Sequence, residues 1–102
     1  MGESDKAKLR HSLLNESRVS IISNLLEKKQ NISDLDKKLP IDRSTICYHL
    51  SILEGVGILE SNYVILEAPQ SRGRAGRVYS INSDRLKDAI NAIEELRKEL
   101  SV

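Results

Sequence analysis

Asp42-Arg43-Ser44-Thr45-Ile46-Cys47-Tyr48-His49-Leu50-Ser51-Ile52-Leu53 reads as one helix with two unlike sides. Asp42 stands where a side-chain acceptor caps the first free backbone N–H groups. Ile46, Leu50 and Leu53 then recur at the spacing of a buried stripe. With Ile46 at zero and about 100° per residue, Leu50 falls near 40° and Leu53 near 340°, whereas Ser44, Cys47, Tyr48 and Ser51 fall between about 100° and 200°. The outer side holds short hydroxyl or thiol side chains, one tyrosine and, at its start, Arg43. No carboxylate occurs from Arg43 to Leu53. Such a face suits close approach to a polyanion, since hydroxyls bond base edges or phosphates and an arginine makes a bidentate contact to guanine. His49, near 300° and beside the apolar stripe, reads as a packed or hydrogen-bonded residue rather than a base.

Working toward the N-terminus, Ser33 is expected to cap a short helix through Leu39, with Asp36 at the capping-box position and Pro40 stopping it. Two helices are thus joined by about three residues, a helix-turn-helix spacing. Upstream, Asn15 caps a helix whose stripe is Val19, Ile22, Leu25 and Leu26, and Leu9 and Leu13 place one more helix before it.

Toward the C-terminus, Gly55 and Gly57 end the central helix. Leu59 to Ala68 turns to β-branched and aromatic residues, Pro69 to Gly76 is a loop rich in Gly and Arg, and Arg77 to Ile81 reads as the returning strand. Asn82 or Ser83 then caps a last helix with Leu86, Ile90, Ile93, Leu96 and Leu100 on one face. The resulting fold class is α+β and mostly α: a winged helix-turn-helix of about four to five helices with a two- or three-stranded wing. Residues 1–102 are read as a single domain, with 83–102 as a C-terminal dimerisation helix.

Composition narrows the function. The 102 residues are 39% hydrophobic and 30% charged, with three Tyr, no Phe and no Trp, so the core is aliphatic. No apolar run is long enough to span a bilayer and the first ten residues are mostly polar, so a cytoplasmic protein is expected. One cysteine, Cys47, and two histidines, His11 and His49, are too few for the usual metal spacings, and Cys47 and His49 point about 200° apart on a helix. No metal or cofactor is expected. Nor is an enzyme, since no nucleophile–base–acid set or phosphate-cradling glycine loop is visible. The formal charge is only +1, but between Gln70 and Val78 stand Arg72, Arg74 and Arg77 with no acid. A wing with these arginines can follow a DNA backbone or enter a narrow minor groove.

The run from Asp42 to Leu53 followed by Gly57-Ile58-Leu59-Glu60, with the wing from Gly73 to Ile81, resembles ArsR-type winged-helix repressors. That resemblance extends over roughly Val19 to Leu100. It implies that Arg43, Ser44, Thr45, Cys47, Tyr48 and Ser51 form the recognition helix's DNA-binding set, with Arg72, Arg74 and Arg77 in the wing. It also implies a homodimer through the first and last helices, where Leu9, Leu13, Leu86, Ile90, Ile93, Leu96 and Leu100 supply apolar surface. Metal-sensing members place paired cysteines in the first helix of the turn or histidine and carboxylate ligands on the last. Here 33–39 has neither Cys nor His and the last helix has no His, so metal sensing is not expected. The expected function is a sequence-specific regulator of transcription on double-stranded DNA, a repressor by occlusion; the alternative is a winged-helix module that holds a protein partner.

Overall fold

The computed structural model describes residues 2–65 and 75–101. Among them the order is α1 (Glu3–Leu13), α2 (Glu16–Glu27), β1 (Gln30–Asn31), α3 (Ile32–Lys38), α4 (Arg43–Gly55), β2 (Leu59–Ile65), β3 (Ala75–Ile81) and α5 (Ser83–Leu100). The sheet is antiparallel in the order β1-β3-β2. Leu59 pairs with Ile81 and Ile65 with Ala75, so β2 and β3 make the hairpin, and Gln30 and Asn31 add a two-residue third strand opposite Tyr79 and Val78. The returning strand begins two residues before the expected Arg77, because pairing with Val64 and Ile65 carries it back to Ala75.

Local signals set the helix ends. The Asn15 side chain accepts from Arg18 N–H and the Asn82 side chain from Arg85 N–H, as N-caps do. At α3 the cap lies two residues earlier than expected: Asn31 accepts from Asp34 N–H and Asp34 returns to Asn31 N–H, a full capping box. Strand β1 ends at Asn31, so the chain turns into the helix there and Ser33 is already inside it. The end of α4 is a Schellman motif. Ile58 N–H bonds the Leu53 carbonyl and Gly57 N–H that of Glu54, each at 3.0 Å, with Gly57 at φ +84°.

The core forms where α2, α3 and α4 meet the root of the hairpin: Ile21, Leu35, Ile46, Leu50, Leu53 and Ile58 are all fully buried. The stripe of α2 differs from the expected one. Ile21, Ile22 and Leu25 face inward beside Arg18, while Val19 and Leu26 are exposed because they sit about 100° from the centre of that arc.

Helix α5 packs along α1, and small residues let it approach: Ala89 and Ala92 are buried. Charges fasten the pair. Both Nη atoms of Arg85 reach the Asp5 carboxylate (2.9 and 3.2 Å), its Nε donates to the Val56 carbonyl (2.9 Å), and Lys6 meets Glu95 at 2.9 Å. The predicted dimer set is consequently divided. Leu9 is fully buried in the protomer's own core, and Leu13 and Leu86 pack against that core, so Leu9 has no surface left for a partner. Ile93 and Leu96 are half-buried, and Ile90 and Leu100 are exposed.

Candidate nucleic-acid interface

Helix α4 is held from its buried side and presents the other. Its stripe of Ile46, Leu50 and Leu53 is fully buried, whereas Arg43, Ser44, Cys47, Tyr48 and Ser51 are exposed, Tyr48 at 62%. The five outward residues therefore share one face. Thr45 is half-buried at its edge and serves the cap: its hydroxyl and backbone N–H both donate to Asp42. The Ser44 hydroxyl donates to the same carboxylate. These bonds, Ser44 first and Thr45 next, hold the Asp42 carboxyl at about 2. Arg43 leans back toward α3, with Nη1 3.3 Å from the Ser33 hydroxyl and 3.9 Å from Asp36. At that distance and exposure the pairing is weak, so the guanidinium is available to a stronger partner.

The inner flank of α4 carries a feature that residue spacing did not reveal. His49 is buried, and its Nδ1 lies 3.1 Å from Nη1 of Arg18, itself only 4% exposed. Arg18 also donates through Nε to the Ser12 carbonyl and through Nη2 to that of His11 (3.1 Å), the open end of α1. A guanidinium has no acceptor, so His49 Nδ1 accepts and the ring proton is on Nε2. Burial first, and the Arg18 charge second, hold the imidazole below its ordinary value, which keeps it neutral.

The flank facing the wing holds a second network. Arg77 on β3 donates through Nη2 to Glu54 Oε1 (2.8 Å) and through Nε to the Ser61 hydroxyl (3.1 Å), and that hydroxyl donates to Glu54 Oε2 (2.6 Å). The guanidinium carbon lies 5.9 Å from the Tyr63 ring centre and 5.4 Å from that of Tyr79. Arg77, one of the three arginines expected in the DNA-binding wing, is joined to the end of α4. Glu54 follows directly on the acid-free window that ends at Leu53. Arg72 and Arg74 lie outside the described residues.

The comparisons with known proteins point to one fold. Residues 15–61, from the cap of α2 to the start of the wing, match the family model described as bacterial regulatory protein, arsR family. The chain has an ArsR-like winged helix-turn-helix fold. Among solved structures, an ArsR-like transcriptional regulator from Rhodococcus sp. RHA1 is similar over 94% of this chain and 82% of that one, at 28% identity and a TM-score of 0.72. HlyU from Vibrio cholerae shares the fold over the full length of both chains at 22% identity and a TM-score of 0.66. A transcriptional regulator homologue from Pyrococcus horikoshii shares it over 97% and 99%, at 21% and 0.65. No curated protein matches the chain by sequence. The ArsR-like fold is the DNA-binding fold of a transcriptional regulator family, and no helix among the described residues is long and apolar enough to cross a membrane.

Proposed function

We propose that this ArsR-like protein is a sequence-specific, double-stranded DNA-binding regulator that works as a homodimer and represses by occupying its site. The observation that carries the reading is the outward face of α4. It runs from Arg43 to Ser51 with hydroxyl, thiol, phenol and guanidinium groups and no acid, on a helix whose other side is locked into the core. Such a helix enters a major groove by its N-terminal half, with the wing over the adjoining backbone. The dimer would use the exposed strip of α5, Ile90 and Leu100 with half-buried Ile93 and Leu96. Symmetric pairing would set two α4 helices about 34 Å apart, one DNA turn.

The test is a titration of binding against salt, on a duplex selected from a random pool and on unselected duplex. Binding to both should fall linearly in log affinity against log salt, with the selected duplex about 10³-fold tighter or more. A chain that ignores duplex DNA at low salt would point to the protein-partner alternative instead.

A further inference from the structure

Between the wing-facing flank of α4 and strand β3 the surface dips into an open cleft of about 330 Å³, whose lining includes Cys47, Ser51, Glu54, Arg77 and Tyr79. Its polar groups differ in the bonding capacity they have left. Both oxygens of Glu54 already accept, one from Ser61 and one from Arg77. Arg77 uses Nε and Nη2 in that network, which leaves Nη1 without a partner among the described residues. Tyr79 is 4% exposed and its hydroxyl makes no hydrogen bond among the described residues. Tyr79 lines the cleft, and among the described residues no fully enclosed side-chain polar atom lacks a partner. Burial raises the phenol above its ordinary value, so it stays a proton donor at neutral pH.

What the cleft offers is therefore donors: Arg77 Nη1, the Tyr79 phenol and the Ser51 hydroxyl. Such a set fits an oxyanion with several acceptor oxygens. Position then selects the source. A helix seated in a major groove turns its flanks to the phosphodiester backbones at the groove's edges, and this cleft is the flank of α4 beneath the wing.

We infer that the cleft seats one backbone phosphate of bound duplex DNA, that Tyr79 donates to it, and that Glu54 is the internal stand-in which the phosphate displaces from Arg77. The inference rests on the DNA-binding reading above. Its consequence is a threshold. On unmatched DNA α4 is not fully seated, the phosphate stays outside, and Arg77 remains with Glu54. On a matched site α4 docks and Arg77 changes partners. Glu54 is thus an internal competitor for Arg77, and its displacement subtracts from the matched complex, where Arg77 changes partners, at least as much as from the unmatched one.

Two isosteric variants test this, Glu54→Gln and Tyr79→Phe, with circular dichroism to verify the fold. Glu54→Gln should raise affinity for the selected duplex several-fold and for random duplex by no more than that, and should steepen the slope of log affinity on log salt for random DNA by roughly 0.9 where the freed Arg77 neutralises one more phosphate. Tyr79→Phe keeps the ring in the core and loses one neutral donor, so it should weaken the selected complex about 2- to 10-fold with the slope unchanged. A duplex with one neutral methylphosphonate, moved position by position, should show both effects vanishing at the same phosphate. Glu54→Gln that leaves selected binding unchanged or lowers it would reduce Glu54 to a strut, and an inert Tyr79→Phe would empty the seat; should Glu54→Gln melt early, Tyr79→Phe with the methylphosphonate series decides alone. If the unmutated chain retains no duplex at all, the DNA-binding reading falls and the seat with it.

Discussion

Nη1 of Arg18 on α2 and Nδ1 of His49 on α4 lie 3.1 Å apart inside the protein, and the same guanidinium holds two carbonyls at the end of α1. One buried cation thereby fixes α4 relative to α1 and α2. The contact requires neutral His49, because a second positive charge there would face Arg18 with no carboxylate in the network.

Mild acid should therefore loosen the fold. The folded imidazole is held below 6.5, its ordinary value, so the unfolded chain takes up the proton first. Stability is complete above that value and is lost as pH falls from there toward the lower folded one. Urea unfolding between pH 7.5 and 5 should show the decline, and His49→Gln should flatten it. Equal pH dependence in that variant would move the cause elsewhere.

Gly57 closes α4 at φ +84°, where a side chain is strained, and an added Cβ would sit 3.4 Å from Cγ of Arg85. That arginine is the one holding Asp5 and the Val56 carbonyl, so it has little freedom to yield. Gly57→Ala should cost about 1–2 kcal/mol in denaturant unfolding, the penalty of a left-handed non-glycine residue. A neutral result would mean that the turn adopts another conformation.

The dimer proposal makes Ile90, 46% exposed on α5, the most informative position. Its change to Glu removes nothing from the protomer core but buries a charge in the proposed interface. Sedimentation at micromolar concentration should give a dimer for the parent and a monomer for Ile90→Glu with unchanged circular dichroism. A parent chain that sediments as a monomer would contradict the symmetric arrangement.

Arg43 should read bases and Arg72 and Arg74 should touch phosphate. Position is the reason: Arg43 opens the groove-facing helix, whereas the other two lie among glycines in the sequence of the wing. Arg43→Ala should cost about 1–3 kcal/mol on the selected duplex and little on random DNA. Each wing Arg→Ala should weaken both alike and reduce the salt slope by roughly one unit. Loss of selectivity from the wing variants alone would reverse these roles.

Much of the architecture was legible because it rests on local chemistry. Asn15, Asp42 and Asn82 cap their helices as side-chain acceptors do, and the Ile46, Leu50, Leu53 spacing separates the two sides of α4 without reference to the rest of the chain. What escaped the sequence depends on contacts between distant segments. Arg18 and His49 are 31 positions apart and Glu54 and Arg77 are 23, so no periodicity connects them. Strand β1 has only two residues, too few for any alternation, and exists because β3 offers it an edge. Leu9 joins the expected interface stripe by spacing alone, which does not show that the protomer's own core buries it.

The central claim is that two copies of α4 read duplex DNA in two-fold symmetry, and selection of duplexes from a random pool by the intact chain tests it most directly. The account predicts an enriched inverted repeat whose half-site centres are about 10 base pairs apart, one helical turn. A pool that remains random after repeated rounds, or converges on a single site without a repeat, would contradict it.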